Sequence, residues 1–340
     1  MPYKTLYGLT PDEIYDLISV AGFSKRHAVE IALNIYRRKI SSINDFIKIP
    51  KNLKSFLSSH CSVGLLECVD SKLSSDGAVR YLFKSAGDKY FETVYIPEHK
   101  RNTVCVSVQS GCRMGCPNCV SGAYGFHGNL TAEEIVTQAL NIPFASCVTH
   151  IVFMGMGEPM DNLDNVMKAC EILTAQWGLA LSLRNITVST IGILHGVQRF
   201  LKESDCNLTL SLHSPFSAER AKIIPAENKY PFADLLTEMK SVKIKKGRRL
   251  SVAYMMIDGI NDSEEHLKKL ISLLKGSGIR VNILPFHKTA NSLLNPSPQE
   301  RMQYFKHSLT CAGISASIRK SRGGDISAAC GLLAASKCSN

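Results

Sequence analysis

The sequence predicts an α/β fold in which six β/α units form a partial barrel, preceded by helices and a β-hairpin. From Thr103 onward, short apolar segments alternate with amphipathic ones, and each apolar segment precedes its helix. This order is typical of a parallel sheet, and six consecutive units favour a sheet that curls toward a barrel. The predicted strands begin at Thr103, His150, Asn185, Asn207, Arg249 and Arg280, and the helices at Thr131, Leu163, Leu194, Phe232, Ser263 and Ser297. Capping boxes are predicted at Thr131 with Glu134 and at Ser297 with Glu300.

The chain before Thr103 predicts two smaller units. Thr10 is followed by a proline and by Glu13, a typical start signal of a helix, and apolar residues at helical spacing come next. Further on, an alternating segment contains a Gly87-Asp88 turn, which predicts a β-hairpin. We therefore expect a helical accessory domain over 1–75, a hairpin extension over 76–102, the barrel over 103–320 and a C-terminal segment over 321–340.

Composition limits the classes of function. The chain has 340 residues, of which 45% are hydrophobic and 20% charged, which is ordinary for a globular protein. No apolar run approaches the roughly 20 residues that span a bilayer, and the N-terminus lacks the apolar core of a signal peptide. We expect a cytoplasmic protein whose 12 cysteines are mostly reduced.

The basic residues are clustered, and the net charge is +11. A positive net charge alone is common among soluble enzymes. Four clusters together favour a polyanionic partner, because each phosphate contact adds affinity through the release of counterions. The clusters are Lys25–His27, Arg37–Lys39, Lys243–Arg249 and Arg319–Arg322.

Cys112, Cys116 and Cys119 form a C-x3-C-x2-C motif in the loop after the first barrel strand. In a parallel barrel this loop lies at the C-terminal rim, where active sites lie. A structural zinc site normally uses four ligands in two short pairs, and the sequence offers no suitable second pair. Three thiolates suit a [4Fe–4S] cluster with one iron open to S-adenosylmethionine (SAM). Reduction by such a cluster would cleave SAM to a 5′-deoxyadenosyl radical.

Other strand ends carry side chains suited to a ribose and an amino acid. Gly157 allows close backbone approach, and with Glu158 it is positioned to hold the ammonium group of SAM. Any one strand-end serine is more often a cap or turn residue, but several together are expected to ring one mouth of the barrel. The remaining candidates are Ser189, Ser211, His213 and Asn282.

Two more cysteines are candidates for chemistry. Cys105 shares a strand face with Ser107 and Gln109, so its thiol is expected to face the barrel mouth. Cys330 lies in a glycine-containing segment, which favours a mobile segment able to reach over the barrel. Either residue could instead be an ordinary buried thiol.

Together these features resemble one family: the radical SAM methyltransferases of adenosine in 23S rRNA, which include enzymes acting on adenine carbon 2 of both rRNA and tRNA. The similarity extends over nearly the whole chain and rests on FETVYIPE, CVSVQSGCRMGCPNC, GFHGNLTAEEIV, FMGMGEPMDN, STIG, SLHSP, AENKYP and RGGDISAACG. The chain departs from the family pattern at Asn118, where an aromatic residue is common, at Gly324, where an acidic residue is usual, and at His287, where asparagine is frequent.

The resemblance implies a radical SAM barrel and a role for each candidate residue. Cys330 would take a methyl group from one SAM, and the radical made from a second SAM would remove a hydrogen atom from that methyl group. The carbon radical would add to adenine, and Cys105 would resolve the protein–RNA crosslink through a transient disulfide with Cys330. Glu92 would accept a proton; without the resemblance it would be taken as a solvent-facing strand residue. The implied SAM contacts are Gly157, Glu158, Ser189, Ser211, Leu212, His213 and Asn282.

The resemblance also implies partners and leaves the methylated carbon open. The partners are 23S rRNA, tRNA and an electron donor such as flavodoxin or ferredoxin, for a monomeric enzyme with no membrane association. HSPFS (His213–Ser217) looks like a sibling branch that methylates adenine carbon 8 and confers antibiotic resistance, whereas VYIPE and GEPM look more like the carbon-2 branch.

Two different classes of protein would also account for part of the sequence. One is a non-catalytic, metal-stabilised RNA-binding protein of ribosome assembly, and the other is a radical SAM enzyme for a small molecule or peptide. Neither explains the paired cysteines and the basic N-terminal helices together.

Overall fold

A ten-stranded mixed sheet forms the centre of the molecule. The computed structural model describes residues 4–64, 66–85, 87–288, 294–329 and 331–333. Their strands are β1 (Lys4–Thr5), β2 (Cys61–Ser62), β3 (Glu67–Leu73), β4 (Val79–Lys84), β5 (Tyr90–Ile96), β6 (Thr103–Val106), β7 (Gln109–Gly111), β8 (Phe126–Asn129), β9 (His150–Phe153), β10 (Ile186–Thr190), β11 (Asn207–Ser211), β12 (Leu250–Met256), β13 (Arg280–Pro285) and β14 (Ala316–Ile318). The strand order across the central sheet is β14-β13-β12-β11-β10-β9-β6-β5-β4-β3.

The six predicted barrel strands are confirmed. They are β6, β9, β10, β11, β12 and β13, which pair in parallel side by side, and β14 adds a further parallel strand that was not predicted. Along β10, Ile186 and Val188 are buried in the core, whereas Thr187 and Ser189 line a cavity on the opposite face. The two-residue alternation of a strand therefore separates the core from the candidate site.

The helices are α1 (Pro11–Ser19), α2 (Lys25–Ala32), α3 (Lys51–His60), α4 (Val120–Tyr124), α5 (Ala132–Leu140), α6 (Leu163–Thr174), α7 (Leu194–Glu203), α8 (Ser217–Ile223), α9 (Phe232–Ser241), α10 (Glu264–Leu274) and α11 (Gln299–Cys311). The predicted capping box at Thr131 and Glu134 is confirmed at the start of α5. The equivalent prediction at Ser297 is wrong, because its hydroxyl donates to Asp262 (2.8 Å) and Pro298 occupies the cap position of α11. In the described ranges no helix is long and apolar enough to cross a membrane.

The N-terminal helices share one hydrophobic core with the barrel. Ile14 and Leu53 belong to the same contiguous cluster as the barrel residues, and the Lys168 ammonium on α6 donates to the Glu13 carboxylate (2.6 Å). The predicted capping box at Thr10 is confirmed. The helical prediction is wrong for 67–73, which form β3. This edge strand is mostly exposed, so it lacks the apolar alternation by which a strand is recognised.

The predicted hairpin is confirmed as β4 and β5, which pair antiparallel. β5 also pairs antiparallel with β6. The hairpin therefore continues the barrel sheet and brings its residues beside the first barrel strand.

Candidate active site

A cavity of about 870 Å³ lies along one face of the barrel sheet and reaches both ends of the strands. Its size is within the usual range for sites that enclose a small molecule. The predicted site residues that line it are Cys105, Cys116, Cys119, Gly157, Glu158, Ser189, Ser211, His213 and Asn282. Cys112, Leu212 and Glu92 do not line it. Cys330 lies outside the described residues.

The cysteine motif lies in a loop that a two-stranded sheet closes at its base. β7 and β8 pair antiparallel, and the Cys112 N–H donates to the Gly125 carbonyl (3.0 Å). The Cys119 N–H donates to the Cys116 carbonyl (3.1 Å) where α4 begins. Gly111 has φ +79° and lies so close to Gly125 that a Cβ would be 1.5 Å from its carbonyl oxygen. This close approach keeps the loop ends together.

The thiols of Cys112 and Cys116 are largely buried, close to Cys119. Burial raises the pKa of Cys112 and of Cys116 to about 12, and the neighbouring Cys119 and Glu158 add to the rise. Within the described part of the chain, no group of three or more His, Cys, Asp or Glu side chains is arranged to hold a metal ion. Such buried thiols ionise readily only beside a cation, as when they ligate iron.

Gln109 connects the cysteine loop to the loop after β9. Its amide nitrogen donates to Asn129 (2.8 Å) and Asp161 (2.6 Å), and its amide oxygen accepts from the Glu158 N–H (2.9 Å). Gln109 was predicted to share the strand face of Cys105, which is wrong because β6 ends at Val106 and Gln109 begins β7. The amide instead fixes the two loops relative to each other.

Gly157 and Glu158 occupy the loop between β9 and α6. Gly157 has φ +97°, and a Cβ there would lie 2.5 Å from the Gln109 Cβ, so only glycine fits. The buried Glu158 carboxylate accepts from the Thr190 hydroxyl and from the N–H groups of Met160 (3.0 Å) and Ile191 (3.0 Å). Burial raises its pKa to about 7 despite these bonds. A carboxylate accepts about four hydrogen bonds, so capacity for one ligand donor remains.

Small polar side chains form a connected belt on the cavity face of β11–β14, here called the hydroxyl belt (Thr209, Ser251, Asn282 and Ser317). The Thr209 and Ser251 hydroxyls lie 2.8 Å apart. The Asn282 amide donates to Ser251 (3.2 Å) and accepts from Ser317 (3.1 Å). Both ends of the Asn282 amide are thereby oriented, and the belt offers hydroxyl groups to a polar ligand in the cavity.

His213 faces the cavity as a neutral imidazole. Its Nδ1 accepts from the Met255 N–H (3.1 Å), so the proton is on Nε2. Burial, with the nearby Arg220 guanidinium, lowers its pKa to about 3. Leu212 has no exposed surface and belongs to the core, so its side chain does not reach the cavity.

Arg220 and Glu227 form a buried ion pair that the sequence patterns did not predict. The Arg220 guanidinium also donates to the carbonyl of Ile191 (2.6 Å), just after β10, and to the carbonyl of Ser211 (2.8 Å), the last residue of β11. Glu227 in turn accepts from the Phe232 N–H (3.0 Å) at the start of α9. The pair therefore holds two strand ends that carry candidate residues. The AENKYP segment, which contains Glu227, was the only sequence signal of this arrangement.

Cys105 and the C-terminal segment meet at the same cavity. Cys105 is 9% exposed, and Ala329 and Gly331, on either side of position 330, also line the cavity. The Val120 N–H donates to the Gly331 carbonyl (2.8 Å), immediately after the cysteine motif. In the described ranges no disulfide joins two cysteines.

A second contact holds the C-terminal segment to the turn between β3 and β4. The Asp325 carboxylate accepts from the Ser74 hydroxyl (2.6 Å) and the Ser75 N–H (2.9 Å). The Asp76 carboxylate accepts from the Gly323 N–H (2.9 Å). These reciprocal bonds between Ser74–Asp76 and Gly323–Asp325 are here called the clasp.

Glu92 lies on β5, fully buried, with its carboxylate 3.4 Å from the Arg80 guanidinium. The solvent-facing position expected from the sequence alone is therefore wrong. Glu92 is two residues before Val94, which pairs with Cys105, so the Glu92 and Cys105 side chains are on one face of the sheet.

The three residues that depart from the family pattern lie at the cavity or on the surface. Asn118 and His287 both line the cavity, and the His287 Nε2 lies 3.1 Å from the Ser321 hydroxyl. Gly324 is exposed, and no atom lies within 4 Å of where its Cβ would be.

Comparison with known proteins agrees with this geometry. Residues 106–271 match the model of the radical SAM superfamily. The chain is 40% identical to a probable dual-specificity RNA methyltransferase RlmN of Bacteroides thetaiotaomicron, over 98% of this chain and 96% of that protein. It is 36% identical to the dual-specificity RNA methyltransferase RlmN of Halorhodospira halophila, over 96% and 92% of the two chains. A crystal structure of a radical SAM methyltransferase from Sphaerobacter thermophilus superposes with a TM-score of 0.90 at 34% identity, over 98% of this chain and 100% of that one.

Proposed function

We propose that this chain, which belongs to the RlmN family of dual-specificity RNA methyltransferases, methylates carbon 2 of an adenosine in the peptidyl-transferase centre of 23S rRNA and of an adenosine in the tRNA anticodon loop. One observation carries the proposal. The cysteine loop, Cys105 and the residues flanking position 330 all meet at a single cavity. The similarity to the relatives over almost the whole chain supports the assignment of RNA as the substrate.

The three cysteines of the motif are not arranged around a single metal ion, but they suit an iron–sulfur cluster, in which each thiolate binds a different iron. Cys112, Cys116 and Cys119 provide only soft sulfur donors, in a loop whose ends are fixed by β7 and β8. Three donors would leave one iron open to the amino and carboxylate groups of SAM. When bound, the cluster would supply the electron that converts SAM to a 5′-deoxyadenosyl radical. A flavodoxin or ferredoxin of the cytoplasm would provide that electron.

The cavity residues beside the cysteine loop would hold SAM. Gly157 exposes its backbone to the ligand, and Glu158 would accept from the ammonium group. Ser189, Ser211 and the amide of Asn282 offer hydrogen bonds to ribose hydroxyls, and His213 offers a neutral N–H. Leu212 would contribute through its backbone alone, since its side chain is in the core.

Cys330 would carry the methyl group. Adenine carbon 2 is neither acidic nor nucleophilic, so it does not attack the methyl group of SAM directly. A thiolate does, so Cys330 would take the methyl group of one SAM as a thioether. Loss of a hydrogen atom from that group would leave a carbon radical that adds to adenine carbon 2. The adduct would give one electron back to the oxidised flavodoxin or ferredoxin and lose the proton of carbon 2, which leaves a closed-shell thioether between Cys330 and the RNA.

Cys105 would then release the RNA. Its thiolate would attack the sulfur of Cys330 and break the bond from that sulfur to the carbon on adenine. The electron pair would go to that carbon, which takes up a proton to complete the new methyl group. The resulting Cys105–Cys330 disulfide must be reduced by an external thiol before the next turnover. Glu92 lies on the sheet face of Cys105 but outside the cavity, so it would accept the proton from adenine carbon 2 by way of an intervening group.

Nucleoside mass spectrometry tests the proposal. Purified, oxygen-protected protein with reconstituted cluster is incubated with SAM, a reductant and separate 23S rRNA and tRNA transcripts. We expect 2-methyladenosine in both RNAs and no product with Cys116→Ala or Cys330→Ala. The Cys330→Ala variant should retain its cluster absorbance. Formation of 8-methyladenosine alone would place the chain in the carbon-8 branch and overturn the assignment.

A further inference from the structure

Five arginines lie around the part of the cavity away from the cysteine loop. We call them the arginine ring (Arg101, Arg184, Arg249, Arg280 and Arg319), and all of them line the cavity. The first four lie just before or at the start of β6, β10, β12 and β13, at the N-terminal ends of the barrel strands. Arg319 follows β14 and acts electrostatically on Arg101. Arg101 interacts electrostatically with both Arg249 and Arg319, so basic groups from separate elements face the same part of the cavity.

The charge of the arginine ring is not neutralised by the protein. In the part of the chain that the structure describes, none of the five guanidinium groups forms an ion pair with a carboxylate. Glu98 also lines the cavity and acts on Arg101 and His150, but it is one charge against five. Burial and the neighbouring cations lower the pKa of Arg101 and of His150. Mutually repelling cations at a cavity opening favour a bound anion.

The side chains of the basic cluster Arg37–Lys39, unlike those of the arginine ring, are bonded to other parts of the protein. Arg37 donates to the Leu179 carbonyl (3.3 Å), and Lys39 donates to the Ala145 carbonyl (2.6 Å). Arg38 pairs with Glu30 (3.1 Å). Arg37 and Lys39 thereby hold the helical domain on the barrel, and Arg38 is paired within the helical domain. Of the four basic clusters, the two that include Arg249 and Arg319 are the ones that reach the cavity.

We infer that the arginine ring binds the phosphodiester groups on either side of the target adenosine, so that the RNA approaches from the N-terminal ends of the barrel strands. This inference rests on the proposed function. One phosphate cannot pair with five separate guanidinium groups at once. The ring therefore favours successive phosphates of an RNA strand over a free phosphate ion. Between the arginine ring and the cysteine loop, the hydroxyl belt lines the path that the base would take.

A pair of matched double variants tests the inference. Arg249, Arg280, Lys243 and Lys246 are all exposed, but the two lysines do not line the cavity. We compare Arg249→Gln/Arg280→Gln with Lys243→Gln/Lys246→Gln, which remove the same charge. Binding of a fluorescent 23S rRNA hairpin to the cluster-loaded protein is measured from low to high salt. The arginine variant should bind at least about tenfold more weakly, and its salt slope should fall by about 1.4, or about 0.7 for each lost phosphate contact. The lysine variant should stay within about twofold of the wild type.

Neutral phosphates in the RNA identify the groups that are bound. Methylphosphonate linkages beside the target adenosine should weaken binding to the wild type more than binding to the arginine variant, which keeps three arginines of the ring. Equal losses in the two double variants, or equal weakening of the wild type and the arginine variant by the neutral linkages, would overturn the inference. If millimolar inorganic phosphate displaced the labelled RNA as well as unlabelled RNA does, the arginine ring would be a site for a free anion, and the inference would also be overturned. Methylation by the wild type is scored separately, so its absence would refute the proposed function without bearing on where RNA binds.

Discussion

The Asp325 carboxylate and the Ser74 hydroxyl, 251 residues apart in the sequence, form a hydrogen bond of 2.6 Å. Together with the Asp76–Gly323 bond (2.9 Å), it fixes the start of the C-terminal segment to the edge of the sheet. The Gly331 carbonyl is held at the other side by the Val120 N–H (2.8 Å). The methyl-carrying cysteine that we propose lies in sequence between these two attachments.

Removing the clasp should slow methylation without affecting SAM cleavage. Asp325→Ala loses two hydrogen bonds to a charged group, and we expect methylation to fall by about tenfold or more. Cleavage of SAM in the absence of RNA should remain at the wild-type rate, because the cysteine loop is untouched. Asp325→Asn, which can still accept from Ser74, should recover part of the rate. The control is Asp234→Ala, an exposed carboxylate on α9; equal loss of both activities in Asp325→Ala would contradict a positioning role.

Breaking the buried pair of Arg220 and Glu227 should destabilise the fold. Arg220→Met leaves Glu227 buried without its partner, and the free energy of unfolding should fall by about 3–5 kcal/mol. The double variant Arg220→Met/Glu227→Gln should recover much of that loss, since no charge is left buried. Urea denaturation of both proteins checks this. A double variant no more stable than the single one would show that hydrogen bonds of Arg220 to the strand ends, not charge, dominate.

The ionisation of Glu158 should make stability depend on pH. Burial raises its pKa from the ordinary value of 4.5 to about 7. The pKa of Glu158 is higher in the folded than in the unfolded protein. The contribution of its protonated form to stability is therefore complete below pH 4.5 and is lost as the pH rises through about 7. Relative to Glu158→Gln, the SAM-free wild type should lose up to about 3 kcal/mol between pH 4.5 and pH 8, at about 1.4 kcal/mol per pKa unit. Urea denaturation across this range measures the difference, with Glu203→Gln on the surface as the control. Parallel pH profiles for the wild type and Glu158→Gln would contradict the assignment.

Local patterns in the sequence predicted the parts of the fold that depend on local interactions. The capping box of Thr131 and Glu134 and the six strand-then-helix units require only neighbouring residues, and both are confirmed. The cavity positions of Cys105, Ser189 and Asn282 followed from strand alternation and the location of strand ends. The expected roles of these residues in binding and chemistry remain predictions.

Features that depend on distant partners were not predictable. The clasp joins segments about 250 residues apart, and Ser297 bonds Asp262 from another element instead of capping its own helix. β3 is exposed at the sheet edge and has no apolar alternation. Arg220 has the sequence surroundings of a surface helix residue, and its burial depends on Glu227 and on the carbonyls of two strand ends.

Replacing Cys105 should trap the enzyme on its RNA. In Cys105→Ala the crosslink would form through Cys330 but no thiolate would be present to break it. Denaturing gel electrophoresis with labelled RNA should show a SAM-dependent covalent adduct, absent in Cys105→Ala/Cys330→Ala. Cys170→Ala, a buried cysteine away from the cavity, is the control. Multiple turnovers by Cys105→Ala would contradict the assigned role.

The fate of the methyl hydrogens tests the central claim most directly. With SAM carrying a fully deuterated methyl group, the radical route through Cys330 removes one deuterium before the carbon joins adenine. The 2-methyladenosine product should therefore retain two deuterium atoms, and the 5′-deoxyadenosine formed with it should gain one. A product that retains all three deuterium atoms would show direct transfer of the intact methyl group and would contradict the account.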